Sequence, residues 1–202
     1  MANKDRPFGF IPWGPVLRAR MYAVPTAPTI NICVGDVVAN DNTGLVSGKL
    51  GLSLAVYDTA VLSATPGDEY KILGVVLACF DEDLDPVQYI AAAEVGDSTV
   101  AGYVLIADHP SQQLVAQGDG EFTDADLNLN FSIVSATLCA PDTYTGLSTQ
   151  EIDADSGAVT TTIPIRIVGQ AYPEDDSHAS AGCRMICQFN PDCHMYGSFV
   201  ML

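Results

Sequence analysis

The sequence predicts an all-β fold, mainly antiparallel, arranged as a β-barrel or a β-sandwich with an extended N-terminal arm and little helix. Three observations predict it. Short apolar runs recur along the chain and are separated by Gly, Asp, Asn and Pro, the punctuation of strands joined by turns. No repeated amphipathic helix lies between those runs. Hydrophobic residues make up 48% of the 202 positions, enough for a chain of this length to bury a core without disulfide staples and too many for wholesale disorder.

Residues 1–28 read as an arm and linker. Lys4, Arg6, Arg18 and Arg20 against Asp5 give residues 1–20 a charge of +3, whereas the other four basic and 24 acidic groups give the rest −20. This segment also carries Phe8, Phe10, Ile11, Trp13, Val16 and Leu17, interrupted by Pro7, Pro12 and Pro15. Proline removes backbone donors and opposes a helix, so the segment is expected to be extended. Large rings on an extended basic chain suit a contact with an acidic or apolar partner. The alternative is that the segment folds back on its own acidic domain, as ordered termini often do. Val24-Pro25-Thr26-Ala27-Pro28 reads as the linker.

Residues 29–202 read as a β-rich body. Ile30–Val34 and Val37–Ala39 are strand candidates, and Asn40-Asp41-Asn42-Thr43-Gly44 is a turn, because these residues tolerate positive φ. Leu52–Tyr57 alternates in part. Tyr70–Phe80 is nearly all apolar, as expected for a strand covered on both faces. Further candidates are Val87–Ile90, Thr99–Ala107, Gln113–Gln117, Phe131–Val134, Thr160–Gly169 and Cys183–Phe189. Thr123 to Asn130 is the best helix candidate, with Thr123 as cap and Asp124 and Asp126 in the first turn. Loops such as Asp81–Pro86 and Glu174-Asp175-Asp176 carry negative charge.

The net charge of −17 argues against nucleic-acid binding, since phosphates repel such a surface. The longest apolar stretch, Ile72–Phe80, is about half of the roughly 20 residues a spanning helix needs, so no membrane partner is expected. Charges and prolines occupy the opening residues, where a leader would place an apolar run. The reading is therefore a cytoplasmic site of synthesis, where the six cysteines stay reduced.

Cys183-x3-Cys187-x5-Cys193-His194 is the sharpest constellation. Three thiols and an imidazole can hold zinc, but Cys183 and Cys187 share one face of one strand, too far apart for a comfortable grip on one ion. Cys33, Cys79, Cys139 and these thiols read as small core residues. Cys193 and His194 are adjacent and so point to opposite faces, which opposes a nucleophile–base pair. His109 and His178 read as exposed loop histidines. Asp153-Ala154-Asp155-Ser156-Gly157 and Asp119–Asp124 resemble fragments of a calcium loop, but neither fits the EF-hand pattern; Asx turns are the preferred reading. The expectation is a non-enzyme with no cofactor and no metal.

Several stretches resemble a known family. Met1-Ala2-Asn3-Lys4-Asp5-x-Pro7-Phe8-Gly9-Phe10 looks like the start of tailed-phage head decoration, or capsid cement, proteins. Tyr70–Val75 resembles their central strand and Ala107–Leu114 their acidic-proline turn. Gly146–Asp153 followed by Thr160–Gly169 resembles their late turn and strand. The Cys183–His194 end departs from the family's pattern. The resemblance implies a β-rich protein, made in the host bacterial cytoplasm and bound to the outside of an icosahedral capsid. It implies a homo-oligomer, a trimer being favoured, whose partner is the major capsid protein. Arg6, Phe8, Phe10, Trp13, Arg18 and Arg20 are then the candidate partner-binding residues. Two other classes compete with a cement role: a lectin-like, calcium-dependent module for host attachment, and a small metal- or cysteine-dependent enzyme.

Overall fold

The structure, a computed structural model, describes residues 6–25, 28, 31–41, 54–56, 71–92, 100–134, 144–161 and 163–197. Of the turn expected at Asn40-Asp41-Asn42-Thr43-Gly44, Asn40 and Asp41 are instead paired strand residues and the rest falls outside these residues, as do the core place of Cys139 and the charges of Lys4 and Asp5. Among them the chain forms, in order, strands β1 (Ile11–Pro12), β2 (Ala19–Pro25), β3 (Ile32–Cys33), β4 (Val37–Asp41), β5 (Leu54–Val56), β6 (Lys71–Phe80), β7 (Pro86–Val87), β8 (Tyr89–Ile90), β9 (Val100–Ala107), β10 (Gln113–Gln117), β11 (Asn130–Phe131), β12 (Ile165–Gln170) and β13 (Arg184–Phe189). Single 3-10 turns occupy Asp124–Asp126, Ala154–Ser156 and Pro191–Cys193.

The named strands pair antiparallel. One sheet runs β1-β10-β13-β12-β11, a second runs β2-β9-β6-β4-β5 with β7 on β6, and β3 pairs β8. The fold is mainly antiparallel β, as expected. The sheets do not close into a barrel and are compatible with a sandwich.

Two cores explain the apolar pattern. Leu114, Ala116, Phe131, Ile165, Ile167, Met185, Cys187 and Phe189 of the first sheet meet Val37, Ala39, Ile72 and Val75 of the second. On the far face of the second sheet, Leu73, Val76 and Cys79 pack with Tyr22, Val24, Val104 and Ile106, and with Ile32 and Ile90 of β3 and β8. Strand β6 therefore buries both faces, which is why it reads as an almost unbroken apolar run.

The helix expected over Thr123–Asn130 does not form. Asp126 Oδ2 accepts the Thr123 backbone N–H at 2.7 Å and its hydroxyl at 2.9 Å, which seals one turn. Asn128 then takes a left-handed φ of 68°, and the backbones of Asn128 and Leu129 bond to Ile167. Sheet pairing thus stops the helix at its first turn.

The division into an arm, 1–28, and a body, 29–202, is not visible in the packing of residues 6–25. The extended segment is present, but β1 supplies one edge of the first sheet and β2 one edge of the second. Folding back is the geometry observed. Pro12 is accommodated because an edge strand need not donate from both sides. Phe10 is fully buried in the inter-sheet core, and its N–H bonds to Gly35 O at 2.8 Å. Gly9, at φ +74°, permits that approach: a Cβ there would stand 2.6 Å from Gly35 O.

Candidate interaction surface

The N-terminal segment is braced by two buried polar side chains. The first is Asp108, directly after β9. Its carboxylate accepts from Arg18 Nε at 2.6 Å, Arg20 Nε at 2.5 Å and the Tyr22 hydroxyl at 2.5 Å. Arg18 also donates to the Asp108 carbonyl at 2.8 Å. Alternation along β2 places Arg18, Arg20 and Tyr22 on one side, and antiparallel pairing with β9 brings Asp108 to them. Burial pushes the Asp108 carboxyl up, but the bonds from Tyr22, Arg18 and Arg20 outweigh it and leave the group below its ordinary value. Burial and then the bond to Asp108 hold the Tyr22 phenol well above its usual range, so Tyr22 is the donor.

The C-terminal region closes over this cluster. Both guanidiniums lie over the Tyr196 ring, Arg18 at 4.9 Å and Arg20 at 4.6 Å from its centre, within cation–π range. Tyr196 and Tyr22 hydroxyls are 3.2 Å apart. His194 is fully buried between Phe189 and Tyr196. Its Nδ1 accepts the Tyr196 N–H at 3.1 Å, while Nε2 has no partner among the described residues. Burial lowers the His194 pKa to about 4, with Asp108 opposing and Arg18 adding to the shift.

The second brace is Gln112. It accepts the Leu17 N–H at 2.9 Å and donates to Gln113 O at 2.9 Å and Pro15 O at 3.4 Å. The loop between β1 and β2 is thereby held from inside, yet it and the strands on either side display apolar groups to solvent. Ile11 is 42% exposed, Val16 44%, Leu17 53% and Met21 39%.

Beside this edge lies an aromatic groove of about 410 Å³, lined by Phe8, Ile11, Trp13, Val115, Tyr172 and Arg184. Trp13 meets Tyr172 edge-on, with centroids 5.5 Å apart and planes at 85°. The Arg184 guanidinium sits 4.1 Å over Tyr172 and donates to Asp176 at 2.6 and 2.8 Å. That bidentate pair holds the Asp176 carboxyl below its ordinary value.

The six residues singled out in the sequence therefore part company. Phe8 and Trp13 share the groove. Arg6 is exposed, its backbone N–H on Gln117. Arg18 and Arg20 are half-exposed but bound to Asp108. Phe10 is a core residue, unavailable to a partner in this fold, because its ring fills the space between the sheets. Asp108, Gln112, Tyr172, Arg184, His194 and Tyr196 were not singled out as parts of this face. The acidic-proline turn Asp108-His109-Pro110 was the one local signal near them.

Cys183, Cys187 and Cys193 are buried thiols. Cys183 lies 3.5 Å from the Met185 sulfur, and Cys193 donates to Thr161 O at 3.3 Å. Among the described residues no three His, Cys, Asp or Glu gather in a metal-holding group. Burial pushes the Cys183 thiol up to about 11 and the Cys79 thiol to about 12, far from the reactive thiolate. The two acidic loops do meet, but through backbone amides: Asp119 Oδ1 accepts Ala154 N–H at 2.9 Å and Asp153 accepts Asp155 N–H at 3.1 Å.

Compared with family models, curated proteins and solved structures, the chain matches none, so its functional reading rests on its own residues.

Proposed function

We propose that the protein is a structural component of a virus particle. It is a decoration, or cement, protein on the outside of a tailed-phage head, where it bridges neighbouring major capsid protein subunits. The resemblance of its opening, central and late stretches to that family supports the reading. One physical observation carries it: the N-terminal segment holds apolar side chains in solvent on an internally braced frame, beside an aromatic groove. Single exposed apolar residues are ordinary, whereas several along one braced segment favour a contact face.

The mechanism is binding energy alone. A fixed face loses little freedom on docking. Trp13 and Phe8 anchor it, and the outer edges of Arg18 and Arg20 meet acidic groups on the partner. A copy bound across a subunit boundary must be released before the shell opens, so binding stabilises the closed shell by mass action. Assembly as a homo-oligomer, with a trimer favoured, multiplies the contacts and raises avidity.

Undecorated heads mixed with the purified full chain test this. Trp13→Ala is expected to weaken attachment by about 2 kcal/mol or more, the loss typical of a hot spot. Leu17→Asp places a charge on an exposed position and is expected to weaken attachment while thermal unfolding stays unchanged. If both variants bind heads like the parent, the face is misassigned. If the parent neither binds heads nor protects them from heat, the cement reading fails and host attachment takes its place.

A further inference from the structure

A second cavity, of about 220 Å³, opens on the first sheet and shares no lining residue with the Trp13 groove. Its floor is Phe122, Ile167 and Met185, which continue into the inter-sheet core. Strand β12 carries a bulge between Ile167 and Gly169. Gly169 lines the cavity, and a Cβ there would meet nothing within 4 Å. The walls are tied together. Phe122 N–H donates to His178 O at 2.7 Å, Asn128 N–H to Ile167 O at 3.0 Å, and Gln170 Nε2 to Asp176 O at 2.6 Å. The space is therefore built into the loops.

Its mouth carries one carboxylate, that of Asp124. Asp124, fully exposed, stands 4.0 Å from His178 Nε2. Of the lining residues Asp124 alone is acidic; Asp126, two residues on, is bonded to Thr123, and Asp176 is paired with Arg184. His178 is the basic side chain that lines it, and Arg184 nearby is committed to Asp176 and Tyr172. An apolar floor below a carboxylate selects a ligand with both characters. A neutral apolar group ignores the rim and an anion is repelled by it. An aliphatic chain ending in an ammonium satisfies both, because such side chains lay their stems on apolar surface and keep the charge in water.

We infer that this cavity takes a lysine side chain presented by a partner protein. The stem lies over Phe122 and Met185 and the ammonium reaches Asp124. This inference does not rest on the capsid reading and stands or falls separately.

Methyl NMR of the full chain at Met185 and Ile167, titrated with n-pentylamine as its ammonium ion, tests it. Saturable shifts are expected, about threefold tighter than with n-pentanol, the advantage of one exposed ion pair. Pentanoate should give none. Asp124→Asn, a surface change, is expected to reduce the amine to the level of the alcohol. Gly169→Leu should fill the cavity and remove both responses, with Gly169→Ala intermediate. Equal binding of alcohol and amine would overturn the cation assignment. Absence of saturable shifts, or binding untouched by both Asp124→Asn and Gly169→Leu, would overturn the site.

Discussion

Asp108→Ala is expected to destabilise the fold by about 3 kcal/mol, the lower end of the cost of breaking a buried ion pair. The carboxylate is fully buried and receives three side-chain donors. Its loss leaves the buried Tyr22 hydroxyl without that acceptor, a cost of about 1–3 kcal/mol. Arg18 and Arg20 are more than a third exposed, so water recovers part of their solvation and the upper end is not reached. Asp108→Asn keeps one acceptor oxygen and should cost less. Trp13 is the sole tryptophan and lies in the braced segment, so its fluorescence reports that segment while far-UV circular dichroism reports the sheets. In urea, the Asp108→Ala fluorescence transition is expected to move to lower denaturant and to precede the dichroism transition. An unchanged midpoint would show that the brace contributes nothing.

Stability is also expected to fall by about 3 kcal/mol between pH 6.5 and pH 4, through His194. The unfolded imidazole titrates near 6.5 and the folded one near 4, chiefly because burial disfavours its charge. In that window the unfolded chain binds more protons, so acid favours unfolding; the contribution is complete above pH 6.5 and lost at pH 4. Asp108 acts lower. Its folded pKa lies below 3.8, so its stabilisation is present above that value and disappears as pH falls through the folded pKa. His194→Phe keeps a ring against Phe189 but removes the Nδ1 acceptor. It should cost about 1 kcal/mol at pH 7 and flatten the pH 6.5–4 slope. A slope that survives in His194→Phe would assign the acid sensitivity to other groups.

The strands were legible where a single periodicity governs them. Gln113–Gln117 has the same bounds in the sequence reading and in β10. Cys183 and Cys187 do share a buried face of the chain at β13, with Met185 and Phe189 on the same side. The strand at Tyr70–Phe80 was recognisable because burial on both faces removes the need for polar alternation. The strands at Ile11–Pro12 and Ala19–Pro25 were obscured by prolines and arginines, which read locally as an unpaired arm. Their pairing depends on residues about ninety positions away, as in Arg18 with Asp108, and no local pattern encodes that register. Thr123 and Asp126 gave a correct signal for a helical turn, but its arrest at Asn128 depends on the distant strand β12. The aromatic groove was half legible: Trp13 and Phe8 stood out, whereas Tyr172 and Arg184 arrive from the opposite end of the chain.

The most direct test of the capsid reading is an electron cryo-microscopy reconstruction of heads decorated with the full-length protein. Docking through the braced segment predicts density on the outer surface across a boundary between capsid subunits, with Trp13, Leu17 and Arg20 turned toward the shell and the acidic loops toward solvent. Heads without added density, or copies bound with that segment facing solvent, would contradict it.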